Sequence, residues 1–409
     1  MKTSPISSRD PQPARGGLRT FGIEEEFLLV EPLTGKPVPK AEQALMMTRT
    51  RRTARQGSAG PTLTLEVKQE QIEAVSPVCS TLDELVDVIR RGRHLADTAA
   101  RRVGARAVAL ATSPVAGTPT LVERPRYVDM ASRFGITLRE QLTCGFHVHV
   151  GVTSGEEGVA VLDRIRVWLP LLLALSANSP YWQGSDSGYS SYRYQAWSRW
   201  PTAGPCERFG SEPEYRRYVD SLLASGVLVD EGMVYFDARL SRNHPTVEIR
   251  IADVCMEATH AAAIAALVRA LVETASSQWR AGVRPARISC EQLRLASWKA
   301  SESGMEGDLL HPLLNTPCPA SEALEVLLAH VRPMLVRSGD EAAVLAAMAD
   351  IMTVGTGSQR QRDALPSSGD MGAVVRDAVV RTHGTGTRER AHGRDRRLHL
   401  AESELAEAN

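Results

Sequence analysis

The sequence predicts an α+β protein: a mixed, mostly antiparallel sheet with helices packed on one side. Strand-like segments with alternating apolar and polar residues recur along the chain, and helix-period segments lie between them. The strands lack regular βαβ spacing, which argues against a doubly wound parallel sheet. The 409 residues are 43% hydrophobic and 23% charged, enough for a large core.

The first strand is read at 20–31, TFGIEEEFLLVE. Side chains alternate faces, so Glu24 and Glu26 share one face while Glu25 points the other way with Ile23 and Phe27. Two unit charges roughly 4 Å apart repel by about 4 kcal/mol at an effective dielectric of about 20. Protonation or a cation must relieve that repulsion, unless the face is simply solvated. Arg49 to Gly60 is basic and polar and reads as a surface loop. Thr62 to Glu73 reads as a second strand. Glu66 and Glu73 lie seven residues apart, so both serve one site only if a bulge or turn intervenes. Thr81 opens a helix with the Thr-x-x-Glu capping pattern, continued by Leu82, Leu85, Val86, Ile89, Ala96 and Val103.

A short strand is expected from Val108 (VALATSP) and another from Cys144 (CGFHVHVGV). In the latter, His147 and His149 share a face, a familiar metal arrangement, although one core and one exposed histidine would give the same spacing. Leu162 to Asn178 reads as a helix interrupted by Pro170. Ser179 to Gly210 is a long aperiodic stretch rich in Ser, Gly, Tyr, Trp and Arg, of the kind that often carries function. TVEIRIADV from Thr246 is a strand that points Glu248 and Arg250 together. That pair is either a simple salt bridge or a grip for a phosphate or carboxylate. His260 to Trp279 is an amphipathic helix, and helices follow to about Met352. Residues 1–19 read as a flexible arm, 20–362 as one folded domain and 363–409 as a basic, partly disordered extension.

The 48 basic and 48 acidic residues cancel, so charge makes no case for nucleic acid or an anionic membrane as partner. No uninterrupted apolar run of membrane-spanning length is read. Six cysteines without CxxC spacing suit a reducing cytoplasm. Carboxylates outnumber imidazoles among the candidate ligands, so Mg²⁺ fits better than Zn²⁺. Mg²⁺ usually accompanies phosphate chemistry, and no GxxxxGK[ST] loop is present.

The segments GIEEEF, EVKQEQIE, CGFHVHVG, NSPYWQGSDSGYSSYRYQAWSRWPTAGP and VEIRIADVC occur in order between Phe21 and Arg362. Together they resemble the glutamate–cysteine ligase type 2 family, the bacterial ATP-dependent carboxylate–amine ligases. GTGSQRQR, from Gly355, looks like that family's C-terminal Gly-rich segment. The resemblance implies a glutamine-synthetase-like fold, a curved antiparallel sheet forming a funnel with helices outside. It implies ATP and Mg²⁺, a carboxylate such as the γ-carboxylate of glutamate, an amine, and a homodimer. It also implies an acyl phosphate that the amine captures.

Glu24, Glu26, Glu66, Glu73, His147 and Glu248 become metal-ligand candidates. Arg250, Arg193 and His149 become catalytic candidates, and Arg193, Arg250, Arg360 and Arg362 nucleotide-binding ones. Glu302 stands where the family often has arginine, which leaves the partner substrate open. A zinc amide hydrolase using His147 and His149, or a nucleotide- or amino-acid-binding sensor, are the alternatives.

Overall fold

The computed structural model describes residues 17–52 and 60–384, with the backbone alone for 49–52. One antiparallel sheet dominates. Its strands are β1 (Phe21–Val30), β2 (Thr62–Leu65), β3 (Gln71–Val75), β4 (Arg106–Val108), β5 (Phe146–Gly151), β8 (Ala238–Leu240) and β9 (Thr246–Ile249). Between β5 and β8 in the chain comes a small separate hairpin, β6 (Tyr181–Trp182) and β7 (Ser185–Asp186). The sheet order is β2-β3-β1-β5-β9-β8, and β4 pairs the C-terminal half of β1.

Burial along β1 alternates from Phe21 to Phe27, with Phe21, Ile23, Glu25 and Phe27 inward. Val148, Val150, Val247 and Ile249 continue the same inner face. Against this face packs the helix Ala258–Arg280, which is buried continuously from His260 to Ser276. The helix is therefore a core element on all sides, rather than the amphipathic helix expected from its sequence. It is long and apolar enough to cross a membrane by composition alone, but 89% of its apolar window is buried inside the fold.

Glu25 is the one carboxylate of the triplet on that inner face, fully buried. Arg93 meets it with a fork, Nη2 to Oε1 at 2.6 Å and Nε to Oε2 at 3.3 Å. Arg93 also donates to the carbonyls of Cys255 and Met256, both at 2.7 Å. A buried charge persists only when paired and hydrogen-bonded in this way.

Several elements differ from the sequence reading. Thr62–Glu73 is a hairpin and not one strand: the chain turns at Lys68–Glu70, closed by Gln71 N–H to the Lys68 carbonyl at 3.1 Å. The segment after Val108 leaves the sheet, and Ala111 N–H instead reaches the Asn178 carbonyl. The helix Ala41–Arg52 extends into the segment expected as a loop from Arg49. Pro170 begins the helix Leu169–Ser176 in its first turn, where a missing N–H is harmless. The long Ser179–Gly210 stretch carries the β6–β7 hairpin and the helix Tyr192–Trp197. The Thr81 capping box forms as expected, with Glu84 at its third position.

The ends also carry structure. Arg19, placed in the flexible arm, is held by Glu157 at 2.6 Å and by Glu273 at 3.3 Å. The helix Met371–Thr382 lies in the segment expected as an extension, yet Val375, Ala378 and Val379 are buried in a core with Leu28 and Val108. Residues 1–16 of the arm and the tail from 385 lie outside the described residues.

Candidate active site

The outer face of the sheet carries three rows of polar side chains. Register places Glu26 opposite Glu73, Glu24 opposite His147, and His149 opposite Glu248, which in turn lies opposite Arg239. The hairpin turn after Leu65 brings Glu66 back to the same site. Glu26, Glu66 and Glu73 each offer an oxygen within 4.8 Å of the others. Two further groups meet the same limit: Glu24 with Glu73 and His147, and Glu24 with His149 and Glu248. All six metal-ligand candidates thus converge from four strands and one turn.

Local hydrogen bonds fix this set. His147 Nδ1 lies 2.9 Å from Glu24 Oε2, and Gly145 N–H donates to Glu26 Oε2 at 2.6 Å. A Cβ at Gly145 would overlap Arg193 Nη2 and lie 3.1 Å from His147 Nε2. Only glycine lets the Arg193 guanidinium approach so closely. Arg193 itself donates to the Ile251 and Arg250 carbonyls at 3.2 and 3.3 Å.

The electrostatics divide the face. At the Glu66 end burial, then the Glu26 and Glu24 carboxylates, push Glu66 up to about 8. Burial, then Glu66, Glu24 and Glu26, raise Glu73 well above the usual carboxylate range. Burial also opposes ionisation of Glu24, but His147 and the nearby His149 outweigh it and hold its carboxyl well below that range. Burial and Arg250 lower His147, which favours the neutral imidazole that a metal requires. This end has more carboxylates than cations, the condition a divalent ion relieves.

The other end is cationic. Arg239 grips Glu248 with Nε at 2.8 Å and Nη2 at 3.1 Å, and Arg250 Nη1 bonds the same carboxylate. Burial resists ionisation of Glu248, yet Arg250 and Arg239 hold it well below the carboxylate range. Among the described residues, the buried Arg193 Nε and Arg250 Nε have no hydrogen-bond partner, and His149 Nε2 has only the Glu24 carboxylate, 3.3 Å away. Buried polar atoms are normally satisfied, so the two free Nε atoms are suited to a ligand. His149 is oriented by Thr246, its Nδ1 lying 3.0 Å from the hydroxyl.

Two predicted residues stand elsewhere. Arg360 pairs with Glu257 and Asp350 and lines a cavity together with Arg93 on the opposite side of the sheet. Sequence placed it at the nucleotide; the fold places it behind the sheet, because its helix Gly357–Ala364 packs there with the Met371–Thr382 helix. Arg362 reaches forward to Asp186 of the β6–β7 hairpin at 3.1 Å and to the Tyr189 carbonyl at 2.9 Å. Glu302 lies in the last turn of the helix Cys290–Ser303 and pairs with Lys299 at 2.7 Å.

Arg239 was not anticipated; β8 is three residues long and too short to show a period. Tyr127, also unanticipated, lies on the helix Pro125–Phe134, and burial together with the Glu66 carboxylate raises its phenol.

Comparison with known proteins agrees with this architecture. A glutamate–cysteine ligase from Francisella tularensis, solved in complex with AMP, has a TM-score of 0.65 at 12% identity, covering 90% of this chain and 89% of that one. A bifunctional glutathione synthetase from Pasteurella multocida gives 0.59 at 15% identity, covering 89% and 52%. These likenesses define the fold as that of the glutamate–cysteine ligases.

The sequence goes further. Residues 20–381 match glutamate–cysteine ligase family 2 (GCS2). A protein of Paenarthrobacter aurescens named "Putative glutamate--cysteine ligase 2-1" is 52% identical over 377 residues, covering 92% of this chain and 98% of its own. "Putative glutamate--cysteine ligase 2" of Streptomyces coelicolor is 45% identical over 365 residues, covering 89% and 99%. The chain belongs to glutamate–cysteine ligase family 2. Its class is that of ligases forming carbon–nitrogen bonds, not the hydrolase kept as an alternative.

Proposed function

We propose that this protein is an ATP- and Mg²⁺-dependent carboxylate–amine ligase that activates the γ-carboxylate of glutamate as an acyl phosphate and transfers it to an amine. Weak ligation of cysteine is included in this reading. The observation that carries it is the polarity of the sheet face: clustered carboxylates at Glu24, Glu26, Glu66 and Glu73, and buried guanidiniums with unused Nε atoms at Arg193 and Arg250.

Glu24, Glu26, Glu66, Glu73, His147 and Glu248 would hold divalent ions, and their mostly oxygen donors suit Mg²⁺. Bound there, Mg²⁺ supplies charge neutralisation between nucleotide phosphates and an anionic acid. The chain's own residues do the rest. Arg250 is held in place through Glu248, and it grips anionic oxygens together with Arg193. His149, oriented by Thr246 and with Nε2 3.3 Å from the Glu24 carboxylate, positions the acid or the phosphate. Phosphoryl transfer needs mainly such positioning and charge stabilisation.

The test is ADP release from ATP and Mg²⁺ against a panel of acids and amines, with products read by mass spectrometry. Release that requires both an acid and an amine supports the proposal. Equal release without either sinks it.

A further inference from the structure

Of the six cysteines, Cys79, Cys144, Cys255 and Cys318 are buried, and only Cys206 and Cys290 are partly exposed. The fold brings those two together. Cys206 lies in the loop after the helix Tyr192–Trp197, and Cys290 opens the helix Cys290–Ser303. The Cys290 thiol donates to the Pro205 carbonyl at 3.0 Å, and the Cys290 N–H donates to Glu207 Oε1 at 2.7 Å. Cys290 is therefore pinned to both chain neighbours of Cys206, with its sulfur beside the Cys206 backbone. Burial, then charge on Asp237 and on the Cys290 sulfur, raise the Cys206 thiol.

Arg166 completes the setting. It is 6% exposed, and its Nη1 donates to the Ile288 carbonyl at 3.0 Å, two residues before Cys290. Its buried Nε has no hydrogen-bond partner, and Nη2 has only the exposed Glu207 carboxylate, 3.5 Å away. Burial lowers Arg166, and charge on Glu207, Cys290, Asp163 or Cys206 opposes that fall. Arg166 and Cys206 line one cavity of about 20 Å³, room for a single water molecule. A buried guanidinium with unused donors stabilises negative charge that develops on a nearby sulfur.

We propose that Cys206 and Cys290 are a redox modification site: hydrogen peroxide oxidises them to a disulfide, with Arg166 stabilising the attacking thiolate. The Cys290 thiolate attacks one peroxide oxygen. The S–O bond forms, the O–O bond breaks, and the leaving hydroxide takes up the proton lost from the thiol. The Cys206 sulfur then attacks the sulfenic acid. The S–S bond forms, the S–O bond breaks, and the oxygen leaves as water with the Cys206 proton. Two thiols thus give up two electrons, and one peroxide becomes two waters. The bridge joins two supports of the polar sheet face. The Gly204 carbonyl takes the Asp237 N–H at 3.0 Å, and the Asp237 carbonyl takes that of Arg250 at 2.9 Å. The Ser301 carbonyl takes the N–H groups of Ser190 and Ser191 at 2.9 and 2.8 Å, just before the helix that carries Arg193.

The test is peptide mapping of the full folded chain after hydrogen peroxide, with remaining thiols alkylated and no reductant in the digest. The expected result is a peptide pair joined through Cys206 and Cys290, two hydrogens lighter than the separate thiol peptides, that dithiothreitol releases. Cys206→Ser and Cys290→Ser should each abolish it, and the other four cysteines should remain alkylated. Arg166→Met should slow linking roughly tenfold or more, the scale of a lost charge-assisted hydrogen bond, and Arg166→Lys should slow it less. No linked pair at peroxide levels that oxidise either thiol further overturns the proposal. So does a pair that forms only once the chain is unfolded. Linking at an unchanged rate in Arg166→Met overturns the role given to Arg166. None of these outcomes depends on the ligase reading.

Discussion

Glu26 of β1 and Glu73 of β3 stand directly opposite each other on one face of the sheet. Like charges in that position destabilise an antiparallel pair, by up to about 1 kcal/mol at exposed sites. Here burial and the neighbouring Glu66 and Glu24 add to the strain on Glu73. Glu73→Gln is therefore expected to raise the thermal midpoint in metal-free buffer. It should also reduce the stabilisation expected from Mg²⁺, which by mass action would be about 2.7 kcal/mol in the wild type at a hundredfold excess over Kd. Calorimetry with and without Mg²⁺ checks both. A variant less stable without metal and equally responsive to it would contradict the assignment.

The Arg93–Glu25 fork predicts asymmetric mutational costs. Arg93→Met leaves a buried carboxylate unpaired and should cost roughly 3–5 kcal/mol. Replacing both partners, as in Arg93→Met with Glu25→Leu, should recover a large part of that loss. Urea unfolding of the single and double variants measures it. A double variant no more stable than Arg93→Met would mean the pair contributes more than mutual compensation.

On the proposed function, Arg239 would act through Glu248 as a positioning residue. Arg239→Met leaves Glu248 gripped by Arg250 alone, so Arg250 loses its fixed anchor. We expect kcat to fall while KM for the acid changes little, with Arg239→Lys restoring only part because lysine cannot fork. Arg250→Lys should cost more, about 10²-fold in kcat, on the scale of a lost oxyanion donor. Steady-state kinetics separate the two. Equal losses in kcat for both variants would count against the division of roles.

Glu157 carries an acid-sensitive part of the stability. Burial opposes its ionisation, but Arg19, Ser276 and Thr153 outweigh burial and bring it down to about 2, from an ordinary 4.5. A depressed carboxylate stabilises the fold fully above its unfolded value and loses that contribution as pH falls through the folded one. The contribution should thus disappear between about 4.5 and about 2. Glu157→Gln should be less stable at neutral pH and should lose less stability across that window. Denaturation midpoints measured over this pH range provide the check.

Much of the site was legible because strand alternation is a local property. The faces of Glu24, Glu25 and Glu26, of His147 and His149, and of Glu248 and Arg250 follow from period two alone. That Glu66 joins Glu73 did not, because a turn at Lys68–Glu70 resembles continued strand in composition. Arg239 escaped notice because its significance is cross-strand: only the β8–β9 register sets it opposite Glu248. Arg360 was assigned to the nucleotide by motif, and its true neighbours, Glu257 and Asp350, are set by helix packing that no local pattern encodes. The helix Ala258–Arg280 shows the same limit, since its polar residues Arg269 and Glu273 find partners far away in sequence, Asp340 and Arg19.

The central claim, an acyl phosphate formed on the acidic sheet face, is tested most directly by isotope transfer. Glutamate bearing ¹⁸O in its γ-carboxylate is incubated with enzyme, ATP, Mg²⁺ and an accepted amine, and the released inorganic phosphate is analysed by mass spectrometry. The account predicts one ¹⁸O atom in each phosphate formed, and no transfer by Glu26→Gln. Phosphate released without label while amide accumulates would contradict it.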